Sequence, residues 1–159
     1  MRSLRTNRLR FRNRTITEES NFLRETGITG TSAALIAEFE PGNAEQFGFE
    51  IRRSENERTI IAYDNEREEL FVDRTNSGNV DFDASTDGRY SAEMKLRNGR
   101  IKMRIFIDRS SVEVFGNDGE AVISAQIFPA PESNRMALYV KSGEAQLISL
   151  DVWQLQSIW

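Results

Sequence analysis

The segment from residue 104 to residue 126 has the clearest alternation of apolar and polar positions in the chain. Its apolar positions include Ile105, Ile107, Val112 and Val114. A period of two is typical of β-strands that bury one face and expose the other. Polar residues 108–111 separate the first two runs, and the Gly-Asn-Asp-Gly sequence at residues 116–119 supplies the positive-φ positions of a tight reversal. The segment therefore predicts three consecutive antiparallel strands.

Similar short runs recur along the rest of the chain, separated by turn residues. Further strands are predicted at residues 33–40, 47–52, 59–64, 69–74, 93–96, 137–140 and 145–156. Asn98-Gly99 is among the strongest short-range hairpin signals. Residues 75–88 form the longest irregular stretch, of the kind that is often functional in compact domains. No helix is predicted, and the pattern indicates an all-β fold of two antiparallel sheets packed as a β-sandwich of the jelly-roll or concanavalin-like type.

The first twenty residues differ in composition from the remainder. Six arginines fall within thirteen positions, namely Arg2, Arg5, Arg8, Arg10, Arg12 and Arg14. We interpret residues 1–20 as a basic leader or linker that becomes an edge strand near Leu9, and residues 21–159 as the β-sandwich domain.

Composition excludes several classes of function. The 159 residues contain no histidine and no cysteine, and the net charge is -4. The chain therefore lacks the usual general base, a Ser-His-Asp triad, thiol chemistry and Cys-type zinc sites. We predict no catalytic residue, no cofactor and no metal site. An acidic chain without a long apolar stretch also argues against nucleic-acid and membrane partners.

Four segments, in order, resemble the C-terminal β-sandwich module of glycoside hydrolase family 32. They are FGFEIRR, YDNEREELFVDRTNSGNVDF, IFIDRSSVEVFGNDGEAVISAQIFP and SLDVWQLQSIW. In that family catalysis resides in a separate propeller with Asn-Asp-Pro, Arg-Asp-Pro and Glu-Cys motifs. This chain has no Asp-Pro pair and no cysteine, so those motifs are absent from it.

Within the family, the chain is most similar to the stand-alone fructan-binding modules of carbohydrate-binding module family 66. The resemblance implies a non-catalytic module that recognises the terminal fructose of β-fructans such as levan and inulin. It also implies a tethered catalytic domain, as in a levanase or fructanase, and a secreted, extracellular location for the larger enzyme.

Polar side chains that alternate with the apolar ones are the candidates for binding such a sugar. The predicted ligand-binding residues are Arg52, Asp64, Asp73, Arg104, Asp108 and Glu113. Carboxylates accept and guanidinium groups donate the paired hydrogen bonds that adjacent hydroxyls offer, and an aromatic ring packs on the C–H face of a sugar. The available rings are Tyr63, Phe106, Phe115, Tyr139 and Trp153.

Three alternatives remain open from the sequence. The acidic and basic side chains are also ordinary turn and ladder residues of a purely structural sandwich domain that never binds sugar. Asp108 with Glu113, or Asp64 with Asp73, offers a carboxylate pair of the kind that hydrolyses glycosides, although an open sheet face does not keep one acid protonated. A protein-interaction module has only the basic leader in its favour.

Overall fold

The computed structural model describes residues 4–29, 31–75 and 88–156, with the backbone alone at residues 4–8 and 155–156. It contains eleven strands, one short α-helix and one 3-10 turn. In chain order they are β1 (Leu4–Ile16), α1 (Phe22–Glu25), β2 (Ala33–Glu40), β3 (Gln46–Arg53), β4 (Thr59–Asp64), β5 (Glu69–Asp73), β6 (Arg89–Glu93), β7 (Ile101–Ile107), β8 (Ser111–Gly116), the 3-10 turn (Asn117–Gly119), β9 (Ala121–Gln126), β10 (Arg135–Lys141) and β11 (Ala145–Gln156).

The strands form two antiparallel sheets that pack face to face. One sheet has six strands in the order β1-β11-β2-β7-β8-β9, and the other has five in the order β10-β3-β4-β5-β6. The three strands predicted between residues 104 and 126 are β7, β8 and β9, neighbours in the larger sheet. The prediction of an all-β sandwich is confirmed.

The core lies between the sheets and is filled by the inward-facing residues of each strand. Its aromatic centre is formed by Phe39, Phe47, Phe49 and Tyr63, none of which is exposed. Phe39 lies 5.1 Å from Phe47 and Phe47 lies 5.7 Å from Tyr63, measured between ring centroids. The Tyr63 hydroxyl donates to the carbonyl of Met94 at 2.9 Å. Burial raises the pKa of Tyr63 to about 12, with the charges of Glu68 and Asp64 contributing in the same direction.

The N-terminal segment is a strand for most of its length. β1 pairs with β11 from Leu4 to Ile16 and forms the edge of the six-stranded sheet. Its residues Leu9 and Phe11 pack against the core, and Ile16 is fully buried. The edge strand expected near Leu9 thus extends over thirteen residues, and most of the basic segment lies within the sandwich.

Two local predictions differ from the structure. The chain does contain a four-residue helix, α1, which buries Leu23 and packs beside β10. It is too short to show a helical period in the sequence.

The strand predicted at residues 93–96 lies instead at β6, because β6 pairs with β5 through residues 89–93. Most of the predicted irregular stretch at residues 75–88 falls outside the described residues. No helix in the described part of the chain is long and apolar enough to cross a membrane.

Candidate functional site

The six side chains predicted to bind a ligand lie in three different places. Arg104 and Glu113 are exposed between buried neighbours on β7 and β8, and so project from the outer face of the six-stranded sheet. Asp64 and Asp73 belong to β4 and β5 of the other sheet. Arg52 and Asp108 lie at one end of the sandwich, where the Arg52 guanidinium approaches the Asp108 carbonyl at 3.5 Å. They therefore do not share one surface, and the sequence could not show this, because alternation assigns a face within a strand but not the sheet to which the strand belongs.

Arg52 is an internal residue. Its φ of 45° takes it out of the alternation of β3, and only 2% of its surface is exposed. Its guanidinium donates to the carbonyls of Ser133 at 2.6 Å, Arg109 at 2.7 Å and Ala130 at 3.2 Å. Burial lowers the pKa of Arg52, against the opposing effects of Glu57 and Asp108. The guanidinium thus holds three loop carbonyls together at this end of the sandwich.

Two other sequence-based candidates have local structural partners. The Asp108 carboxylate accepts from the backbone N–H of Arg109 at 2.8 Å, and the Asp108 N–H donates to the Ser111 carbonyl at 2.9 Å. These bonds form the turn between β7 and β8. Tyr63, one of the candidate rings, lies in the core and is unavailable to a ligand on either outer face.

The outer face of the five-stranded sheet has a row of small and aromatic residues across all its strands. Cross-strand pairing aligns Tyr139, Gly48, Ala62, Phe71 and Ser91. A Cβ on Gly48 would collide with the carbonyl oxygen of Ile61, so only glycine fits at this position of the row. The two rings flank the two small residues, and within the row Ala62 is 0% and Phe71 2% exposed.

A chain of polar contacts runs beside this row. The Tyr139 hydroxyl donates to Gln46 Oε1 at 2.8 Å, and Gln46 Nε2 donates to Asp64 Oδ2 at 3.0 Å. Arg89 Nη2 lies 3.9 Å from the same Asp64 oxygen and donates to Glu69 at 3.0 Å. The Arg89 guanidinium also lies 3.9 Å from the centre of the Phe71 ring. Each of the five strands thus contributes one or more groups to a connected polar surface.

Asp64 stays ionised within this network. Burial alone would raise its pKa, but the Arg67 N–H, the Gln46 amide, the Glu66 N–H and the Arg89 charge together lower the pKa of Asp64 below its ordinary value. The two backbone N–H groups donate to Oδ1 at 2.9 and 3.0 Å. The carboxylate is therefore a fixed acceptor rather than a proton donor.

A groove of ≈ 330 Å³ opens beside Tyr139 at the β10 edge of this face. We call it the Tyr139 groove. Its charged lining consists of Arg24, Arg53, Arg58, Glu18, Glu19 and Glu50. Both oxygens of Glu50 are engaged, one by Arg53 Nε at 2.7 Å and the other by Arg58. Three cations and three anions make the lining neutral overall.

Tyr139 joins the groove to the polar surface. Burial raises the pKa of Tyr139, and the charges of Arg58, Asp73, Glu50 and Arg89 also act on its hydroxyl, the two acids raising the pKa and the two arginines lowering it. The hydroxyl is therefore influenced by two acids and two guanidinium groups from three strands and one loop.

Sequence reasoning missed most of this surface. Gln46, Arg58 and Arg89 were not among the predicted binding residues, and Tyr139 was only one of five candidate rings. Tyr139 does alternate with the buried Leu138 and Val140, so the sequence predicts its outward orientation. The sequence does not predict the pairing of β10 with β3, which brings Tyr139 to Gln46.

Comparison with known proteins identifies the family to which this domain is similar. The family model described as the C-terminal domain of glycosyl hydrolases family 32 matches residues 1–154. A levanase of Bacillus subtilis is 44% identical over 136 residues, which is 84% of this chain and 20% of the levanase. An extracellular exo-inulinase of Aspergillus awamori is 35% identical over 138 residues, which is 84% of this chain and 26% of that enzyme. The chain thus spans about a quarter or less of the length of these relatives.

Solved structures agree with the sequence comparison. The crystal structure of the exo-inulinase from Aspergillus awamori superposes with a TM-score of 0.78 at 30% identity, covering 99% of this chain and 30% of that one. The structure of a fructofuranosidase from Schwanniomyces occidentalis, complexed with fructose, shares the fold at a TM-score of 0.75 and 17% identity, covering 96% of this chain and 34% of that one. This chain belongs to the family of C-terminal β-sandwich domains of family 32 glycoside hydrolases.

Proposed function

We propose that this domain is a non-catalytic carbohydrate-binding module of a fructan hydrolase. It binds the terminal fructose of a β-fructan in the Tyr139 groove and on the adjoining outer face of the five-stranded sheet. The larger enzyme acts outside the cell, as the names of the extracellular exo-inulinases suggest. Binding raises the local concentration of polymer around the attached catalytic domain.

The observation that carries this proposal is the combination of a neutral lining with many fixed donors and acceptors around one ring. Fructose is an uncharged polyol, so a groove with three arginines and three glutamates attracts it without selecting a charged competitor. Glu50 and Asp64 are held in place by their partners, which reduces the ordering cost of binding. The volume of ≈ 330 Å³ lies near the lower end of the range of about 300–1,000 Å³ for small-molecule sites and suits one sugar residue.

The proposal keeps two of the sequence-based candidates and replaces the others. Asp64 and Asp73 lie on the proposed face, and Gln46, Glu50 and Tyr139 join them. Arg104 and Glu113 lie on the opposite outer face, and Arg52 and Asp108 serve the turns at one end.

A structural role for the domain has a separate observation in its favour. The outer face of the six-stranded sheet carries a Phe106–Phe115 ring pair at 6.0 Å, and Val122, the cross-strand partner of Phe115, is 52% exposed. Apolar groups on an outer face suit packing against another domain. This surface lies on the side away from the Tyr139 groove, so docking and sugar binding are compatible.

Calorimetric titration of the 159-residue chain with levan, inulin and fructose tests sugar binding. Tyr139→Ala removes the ring and the hydroxyl bonded to Gln46, and we expect binding to weaken about tenfold, or ~1.4 kcal/mol. Glu40→Gln, at the exposed end of β2, is the control and should bind as the wild type does. Circular dichroism establishes that both variants are folded.

Absence of binding to all three ligands would leave the structural role as the function of the domain. Release of fructose from levan by the isolated chain would contradict the non-catalytic assignment.

A further inference from the structure

A separate cavity lies between α1 and the start of β10. Its volume is ≈ 400 Å³, and the residues that matter in its lining are Arg24, Arg53, Arg135, Ile28, Thr29 and Asn134. It adjoins the Tyr139 groove, because Arg24 and Arg53 line both.

The charge of this cavity differs from that of the groove. Three arginines line it, and none of the described residues in its lining is an Asp or a Glu. Arg53 uses its Nε to pair with Glu50 at 2.7 Å. In the described part of the chain, no ion pair joins Arg24 or Arg135 to an acidic side chain. In a protein whose acids outnumber its bases, 25 to 21, the lining of this cavity is therefore net positive.

The backbone register places two of these arginines directly against each other. Arg135 is the cross-strand partner of Arg53, and Thr29 bridges to Arg135 on its other side. Like charges directly opposite each other in a sheet destabilise it. A negatively charged group bound between them would remove that repulsion, so the free protein bears a cost that a ligand reverses.

The remaining lining suits a small oxygen-rich anion. Thr29 Oγ1 accepts from Gln154 Nε2 at 3.2 Å, so the threonine hydroxyl can still donate one hydrogen bond. Asn134 adds an amide, and guanidinium forks match the oxygen pairs of carboxylate, sulfate and phosphate. Ile28 and the buried Met136 are the apolar side chains of the lining.

We propose that this cavity is an oxyanion-binding site that takes a phosphate, sulfate or carboxylate group through Arg24, Arg53 and Arg135. The anion is either free or attached to a sugar whose ring enters the neighbouring Tyr139 groove. The sugar-borne alternative rests on the proposed function, whereas binding of the free anion can be tested apart from it, because Arg135 lines this cavity and not the Tyr139 groove.

Titration of the 159-residue chain with inorganic phosphate and with sulfate, at ionic strength held constant with sodium chloride, tests the site. Nitrogen–proton correlation spectra of the arginine Nε groups report binding at each residue. We expect saturable shifts and an affinity at least about tenfold lower in Arg24→Gln and in Arg135→Gln. No saturable binding, or equal affinity in the wild type and both variants, overturns the proposal.

Arg100→Gln is the matched control. Arg100 lines a different cavity, where three cations face Glu38 and Asp118, and it pairs with Glu38 at 3.2 Å. This substitution removes the same charge from a cavity in which Arg100 is paired with a carboxylate. The affinity for phosphate should therefore stay at the wild-type level. An equal loss in Arg100→Gln would reduce the effect to net charge and overturn the site.

Fructose 6-phosphate distinguishes the two sources of the anion. Tighter binding than inorganic phosphate identifies a sugar-borne group, and equal or weaker binding identifies the free ion. Tyr139→Ala separates this site from the proposed function, since it should weaken fructose binding and leave inorganic phosphate binding unchanged. Arg135→Gln should have the reverse effect.

Discussion

Replacement of Arg52 by methionine should destabilise the domain severely. The guanidinium makes two short bonds to carbonyls, at 2.6 Å to Ser133 and 2.7 Å to Arg109, and a longer one of 3.2 Å to Ala130. Hydrogen bonds that involve a charged group contribute about 1.5–3 kcal/mol each, so the two short bonds together contribute about 3–6 kcal/mol. Relief of the buried charge offsets a part of this loss. We expect the free energy of unfolding to fall by about 3–5 kcal/mol.

The neighbouring Glu57 adds to the effect. Its Oε1 accepts from the Ala130 N–H and from the Ser133 hydroxyl, each at 2.9 Å. Both side chains therefore bind the loop at residues 130–133. The Glu57 carboxylate accepts from its N–H and O–H groups, and the Arg52 guanidinium donates to its carbonyls. Removing Arg52 leaves the Glu57 charge without its cationic neighbour.

Urea unfolding and thermal melting measure this prediction. For a chain of this length, each kcal/mol corresponds to about 2–4 °C in Tm, so the loss amounts to about 6–20 °C. Arg104→Met is the control, because the sequence gives Arg104 the same predicted role but the structure exposes it. Its change should stay within about 0.5 kcal/mol. A loss below about 1 kcal/mol in Arg52→Met would refute the structural role of the guanidinium.

Three further predictions concern pH and packing. The pKa of Tyr63 rises from its ordinary value near ~10 to about 12 on folding, so the stability from the neutral phenol is complete below pH ~10 and is lost as pH rises toward about 12. Unfolding free energies across this range should decline less in Tyr63→Phe than in the wild type, and equal slopes would contradict this. The pKa of Asp64 is lowered on folding, so the stability that its carboxylate contributes is present above the unfolded pKa of ~3.9 and is lost as pH falls through the folded pKa. The free energy of unfolding should therefore fall less steeply with acid in Asp64→Asn than in the wild type. An identical acid dependence in the two proteins would contradict this. Gly48→Ala should cost about 3 kcal/mol in denaturant unfolding, because the added Cβ meets the Ile61 carbonyl, whereas Gly99→Ala, with open space at its Cβ, should cost about 1 kcal/mol from its positive φ alone.

The sequence was sufficient for the strands but not for their assignment to sheets. Alternation placed Arg104 and Glu113 outward correctly, and the Asn98-Gly99 hairpin follows from residues that accept positive φ, 54° and 74° here. Nothing in the alternation shows that β7 and β8 lie in one sheet while β4 and β5 lie in the other, since that depends on long-range pairing.

The outer face of the five-stranded sheet was difficult to predict for a second reason. Ile60, Ala62 and Phe71 point outward yet are 9% exposed or less, so β4 is buried along its whole length. A strand that is apolar on both sides gives no two-residue period. Arg52 was difficult to predict for a different reason. Its place in the alternation of β3 predicts an outward side chain, but its positive φ turns the side chain into the end of the sandwich.

The pairing of the first and last strands has a mechanical consequence. Leu4 lies opposite Gln156, and the register continues to Ile16 opposite Ala145. Tension applied between these two ends pulls perpendicular to the strands and parts the rungs of the ladder one at a time, since the bonds of an antiparallel pair lie across the strand direction. A domain held by both ends would therefore unfold from the Leu4–Gln156 pair inward, breaking one hydrogen-bonded pair at a time. A domain held by one end and by a ligand bound on the other sheet would instead distribute the force over several strands at once.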